Sequence, residues 1–65
     1  MISNLKINHE GTKFWFVYNY LHRINGPAII YNDVYASSYW YYNGEFIKCS
    51  NQKYFEKFIK LKLLW

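Results

Sequence analysis

Residues 14–23 and 39–48 lie over one another without a gap at an offset of 25 positions, and this internal repeat constrains the fold more than any other feature of the chain. Phe14-Trp15-Phe16-Val17-Tyr18-Asn19-Tyr20-Leu21-His22-Arg23 aligns with Tyr39-Trp40-Tyr41-Tyr42-Asn43-Gly44-Glu45-Phe46-Ile47-Lys48. Trp15 thus matches Trp40, Phe16 matches Tyr41, Asn19 matches Gly44 and Arg23 matches Lys48. Each copy reads as an aromatic strand, a two-residue turn and a return strand ending on a cation. Asn43-Gly44 is the strongest short hairpin signal, because such turns need φ > 0 and these two residues adopt it at low cost. At the equivalent place stands Tyr18-Asn19, where Asn tolerates the same region. A lone hairpin buries little, so the two copies are expected to share a face.

Further turn signals at His9-Glu10-Gly11, Gly26-Pro27 and Asn32-Asp33 divide the first fifty residues into short intervals rich in β-branched and aromatic residues. They predict strands over 4–8, 12–18, 20–24, 28–31, 37–42 and 45–49. From Ser50 the period changes: Tyr54, Phe58, Leu61 and Trp65 recur at i, i+4, i+7 and i+11, with Phe55 and Ile59 widening the stripe. This predicts a helix over 50–65, capped by Ser50 or Asn51, with Lys60 and Lys62 at the negative end of its dipole. The expected architecture is α+β and mostly β. An antiparallel meander of five to six short strands over 1–49, with hairpin repeats at 14–23 and 39–48, is closed by one amphipathic helix within a single domain of 1–65.

A chain of 65 residues buries only about 60% of the surface its unfolded form exposes, so something beyond an ordinary aliphatic core must stabilise it. Cys49 is the only cysteine, which excludes an internal disulfide. Cys49, His9 and His22 show no metal-ligand spacing, so neither metal nor cofactor is expected. The aromatic content of 25%, from 8 Tyr, 5 Phe and 3 Trp, supplies the alternative, since each ring can bury roughly 150–250 Å². The lone cysteine and the lack of an apolar leader or membrane-length run point to the cytoplasm. Asn, Lys, Ile, Phe and Tyr make up about half the chain, the bias of an AT-rich bacterial or phage genome; a phage-encoded chain would then act in its host's cytoplasm.

The string Leu21-His22-Arg23-Ile24-Asn25-Gly26-Pro27-Ala28, followed by Tyr39-Trp40-Tyr41-Tyr42-Asn43-Gly44, resembles the His-Arg-x-x-Gly-Pro-Ala and Trp-x-x-Asn-Gly pattern of the MORN-repeat-variant proteins of bacteria and tailed phages. The resemblance covers residues 13–48. It implies repeated β-hairpins and non-catalytic interaction or antitoxin-like roles. The chain departs from the pattern at Tyr18-Asn19, where Asn-Gly stands in the family, and after Glu45-Phe46, where His-Arg is missing.

Nothing in the spacing favours catalysis. The only nucleophile set, Cys49 or a serine with His22 and Asp33, is scattered, and four acidic residues leave little material for acid–base work. Charge is concentrated instead. Residues 1–47 are formally neutral, and the excess of +4 arises where Lys48, Lys53, Lys57, Lys60 and Lys62 face only Glu56. The helix face carrying Lys53, Lys57 and Lys60 can be a solvated surface or can meet an acidic protein or nucleic acid. His22 and Arg23 have two readings: a binding contact, or a structural pair in which His22 bonds to the neighbouring hairpin and Arg23 stacks on a ring such as Trp40.

Alternation along a strand puts Phe14, Phe16 and Tyr18 on one side and Trp15 and Val17 on the other, and likewise opposes Tyr39 and Tyr41 to Trp40 and Tyr42. One short helix covers one side only. Unless the sheet curls to enclose both sets, an aromatic face is left for company. The expected function is a non-catalytic protein-binding module, such as a phage accessory protein that inhibits or modulates a host enzyme, defence factor or toxin-like target. Its contacts would come from Phe16, Tyr18, Tyr39, Tyr41, His22 and Arg23. The alternatives are single-stranded nucleic-acid binding by rings and basic helix, and a self-associating homo-oligomer; no membrane contact is expected.

Overall fold

The computed structural model describes residues 3–63. Six strands precede one helix: β1 (Asn4–Ile7), β2 (Lys13–Val17), β3 (Tyr20–Leu21), β4 (Ile29–Ile30), β5 (Ser38–Tyr42), β6 (Glu45–Ile47) and α1 (Gln52–Leu63). All pairings are antiparallel, in the order β1-β2-β4-β5-β6, with β3 also on β2. Each strand lies inside its predicted interval and is shorter by one to several residues.

β3 and β4 occupy one lane of the sheet. β3 opposes Phe16 and Val17, β4 opposes Lys13 and Phe14, and the chain between them bulges out as a loop. Trp15 spans the gap: its N–H donates to the Ala28 carbonyl at 2.8 Å, and its own carbonyl accepts from the His22 N–H at 3.0 Å. No backbone group in that rung is left orphaned, which is the condition for tolerating the loop.

The repeat is visible in the backbone. Hairpin β2–β3 and hairpin β5–β6 stand 25 residues apart, and their first turn residues, Tyr18 and Asn43, have φ of +55° and +50°. Gly44 is also left-handed at +83°, so the second turn has both positions at positive φ, as the Asn-Gly pair predicts. The first turn differs from expectation because the left-handed residue is Tyr18 and not Asn19. A two-residue connection between strands in this register needs positive φ at its first position, whichever residue occupies it.

α1 is capped by Asn51, whose side-chain oxygen accepts the Tyr54 N–H at 3.1 Å, which decides between the two candidate caps. Phe55 and Ile59, one helical turn apart, form the buried core with Ile47, flanked by Trp40, Tyr42, Cys49 and Phe58. The predicted stripe is therefore corrected in phase. Tyr54 and Leu61 are exposed, and Trp65 lies outside the described residues. The phase follows from Gln52, which accepts the Trp40 indole N–H at 2.8 Å and donates to the Ile24 carbonyl at 2.9 Å. With its first turn pinned to the sheet there, 100° per residue carries Phe55 and Ile59 inward.

Candidate protein-interaction surface

The sheet has two unlike faces. Directly opposed residues share a side, so the registers place Trp15, Val17, Trp40, Tyr42 and Ile47 on the side that α1 covers. Phe14, Phe16, Ile29, Tyr39, Tyr41 and Phe46 fall on the other. No element packs on that second side among the described residues, and the molecule measures only 15 Å along its shortest axis, the depth of a sheet with one helix.

The rings of the open side touch one another. Phe14 and Phe16 stack at 6.3 Å between centroids, Phe46 lies 6.0 Å from Tyr39 and 5.6 Å from Tyr41, and Tyr31 meets Tyr39 edge-on at 5.7 Å. Ile29 is buried beneath them, whereas Tyr39 and Phe46 remain 40% and 50% exposed. The sheet does not curl to enclose this set. Lys6 sits 5.6 Å over the Phe16 ring, and no carboxylate projects from these strands on this side. Beside Tyr31, the loop 32–37 is tied by Asp33, whose Oδ1 accepts from the Tyr35 and Ser37 N–H groups. It holds Val34 and Tyr35 almost fully exposed at its tip.

Of the residues singled out in the sequence, Phe16, Tyr39 and Tyr41 belong to this surface. Tyr18 does not share the strand face with Phe16. It is a turn residue, 84% exposed, whose positive φ carries its ring to the hairpin tip. Phe46, Tyr31 and the Val34-Tyr35 tip were not singled out. The Asn43-Gly44 turn already sets Tyr41 opposite Phe46, so Phe46 was readable; the loop tip depends on Asp33 side-chain bonds that no periodicity encodes.

His22 and Arg23 act inward. His22 is 3% exposed, packs edge-on against Tyr42 at 5.0 Å, and accepts the Asn43 N–H on Nδ1 at 2.8 Å, which joins the first hairpin to the turn of the second. The guanidinium of Arg23 stacks at 3.8 Å on Trp15, not on Trp40, while Nη1 donates to the Pro27 carbonyl at 3.2 Å and Nε to Asn25 at 3.3 Å. Trp40, the repeat equivalent of Trp15, is covered instead by α1. A Cβ on Gly26 would lie 2.8 Å from the Arg23 guanidinium carbon, so any larger residue there would push the guanidinium from its present place. Gly26 and Pro27 of the Gly-Pro-Ala string thus make room for and bond the arginine, and the fully buried Ala28 bonds Trp15 and Tyr39 through its backbone.

Burial holds the His22 pKa below its ordinary value, and the bond from Asn43 needs the neutral ring with its proton on Nε2. A depressed folded-state pKa means that the unfolded chain takes up the proton first. Stability is therefore expected to be level above about pH 6.5 and to fall below it, by at most about 1.4 kcal/mol per pH unit from this group. Urea midpoints measured from pH 8 to 5 on the wild type and on His22→Gln check this; an equal slope in both would remove His22 as the cause.

Lys53, Lys57 and Lys60 project from the outer side of α1 and are exposed. The only ion pair among the described residues joins His9 and Glu10. Since α1 lies on the covered side of the sheet, these lysines and the open rings are on opposite surfaces. Burial raises the Cys49 thiol pKa, which keeps it protonated and a weak nucleophile. No helix among the described residues is long and apolar enough to cross a membrane. No family model matches the chain, and neither does a curated protein or a solved structure.

Proposed function

We propose that the chain is a non-catalytic protein-binding module that docks through its open aromatic face, with a phage accessory role against a host enzyme, defence factor or toxin-like target. The observation that carries this is a pair of ring clusters, Phe14 with Phe16 and Tyr31 with Tyr39, Phe46 and Tyr41, flanking Ile29 on one side of a sheet whose other side is packed by α1. Tyrosines of this kind supply large, stiff contact area at low entropic cost and are enriched at binding hot spots. Kinship with the MORN-repeat variants belongs to this proposal, and it rests on the motif residues. Within that motif His22 ties the first hairpin to the turn of the second through Asn43, and Arg23 clamps the loop that follows onto Trp15.

The nucleic-acid alternative is disfavoured by the separation of rings from lysines, because a base-stacking platform needs cations beside the rings to follow the phosphates. Among the rings of the open side only Phe16 has a cation over it, Lys6. The test is affinity capture from infected and uninfected host lysates with the tagged wild type and with Tyr39→Ser/Tyr41→Ser. The expected result is a protein retained in stoichiometric amount by the wild type and lost at least about tenfold, equivalent to about 1.4 kcal/mol, by a variant whose circular dichroism is unchanged. Equal retention by both would defeat the proposal.

A further inference from the structure

The lane at the far end of the sheet from α1 has a free edge whose hydrogen-bonding pattern is readable. Opposed residues in an antiparallel pair either exchange both backbone bonds or neither. Both backbone groups of Trp15 are used on its other side, by Ala28 and His22. Leu5, which opposes Trp15, therefore directs its N–H and C=O outward. The bond from the Asn8 N–H to the Thr12 carbonyl at 3.1 Å fixes the same parity, so Ile7 and Leu5 both offer donor and acceptor to the edge while Asn4 and Lys6 are bonded to β2. All four residues of β1 are exposed. The side chains of Leu5 and Ile7, 48% and 57% exposed, lie on the covered side of the sheet, on the lane farthest from β5 and β6, where α1 packs.

Natural sheets guard such edges with proline, bulges, short strands or inward charges. The opposite edge is guarded, for β6 has three residues and only Phe46 points its backbone outward. β1 has no proline or bulge and exposes the outward groups of two residues, Leu5 and Ile7; its one charge, Lys6, projects to the open side and leaves the side of Leu5 and Ile7 apolar.

We propose that β1 pairs antiparallel with β1 of a second copy of this chain about a two-fold axis through Leu5. The parity selects the register. With Leu5 opposite Leu5 and Ile7 opposite Ser3, every residue with free backbone groups meets another, which gives about six interchain bonds, and Lys6 opposes Asn4. Moving by one residue points bonded groups at free ones; moving by two one way sets Lys6 against Lys6, and moving by two the other way leaves Ile7 without a partner among the described residues. In the selected register Leu5 packs on its own copy, and the five lanes of each sheet continue into those of the partner. An unrelated peptide could form the same bonds, but in this register the strand matches itself in backbone parity and in its apolar side, and each Lys6 faces a neutral Asn4. The proposal uses the sheet edge and is independent of docking on the aromatic face.

Sedimentation equilibrium between about 10 µM and 1 mM, the range suited to a contact this small, is expected to show the mass rising from 8.0 kDa toward twice that value. Leu5→Pro deletes only an outward N–H, and Leu5→Lys sets like charges at the axis; both are expected to stay monomeric with unchanged circular dichroism, while Tyr39→Ser/Tyr41→Ser still dimerises. Amide exchange on the wild type reads the same contact without substitution: the Leu5 and Ile7 amides should gain at least tenfold protection at the high concentration. A wild type that stays monomeric throughout overturns the proposal. So does a dimer whose Leu5 amide exchanges at the free rate or that survives both Leu5 changes.

Discussion

Phe55→Ala is expected to lower the unfolding free energy by about 3–5 kcal/mol, most of what a domain this small holds. Phe55 is the only large side chain with no exposed surface among the described residues. It stands between Ile47 and Ile59 with Phe58 stacked 6.5 Å away. Truncation loses its transfer free energy and leaves a cavity that cannot collapse, because Gln52 bonds fix the helix to Trp40 and to the Ile24 carbonyl. Small domains hold only about 5 kcal/mol in reserve, so one such loss consumes most of it. Urea unfolding followed by tryptophan emission measures the change; a loss below about 1 kcal/mol would mean that α1 contributes little to the core.

Arg23→Ala is expected to cost about 2–3 kcal/mol, the second largest effect. It removes the cation stacked on Trp15, two hydrogen bonds and the packing of the aliphatic stem. Gly26→Ala should cost about 1–2 kcal/mol for a single reason, since its Cβ displaces that guanidinium. If so, the double variant is no worse than Arg23→Ala alone, giving a coupling energy of at least about 1 kcal/mol in a double-mutant cycle. Additive losses would show that Gly26 acts through its own backbone and not by yielding space to the arginine.

The strand intervals, the two hairpins and the helix were legible because turn chemistry and period set them locally, whereas the pairing of β2 with β4 past the short β3 was not. Asn43-Gly44 fixes its hairpin, and the 25-residue offset transfers the same shape to Tyr18-Asn19. Rotation of α1 was not legible. Tyr54 and Leu61 fit a helical stripe as well as Phe55 and Ile59 do, and the choice between them is made by Gln52, a polar residue whose partners lie 12 and 28 positions away. The partner of Arg23 was misread for a related reason: Trp15 and Trp40 are equivalent in the repeat, and only the bulge between β3 and β4 brings Arg23 back over Trp15. On the candidate surface, alternation identified Phe16, Tyr39 and Tyr41. Alternation could not find Val34 and Tyr35, whose exposure follows from Asp33 side-chain bonds.

The two matched tryptophans are roofed by different things. Trp15 is sealed by an arginine eight positions along its own unit, whereas Trp40 depends on a separate helix because Lys48, at the place of Arg23, lacks a planar fork to lay on the ring. Melting should consequently begin at one end. Fraying of α1 would wet the second indole while the first stays dry, so a brief opening of the native fold would leave a braced amino-terminal half and a loosened carboxy-terminal one.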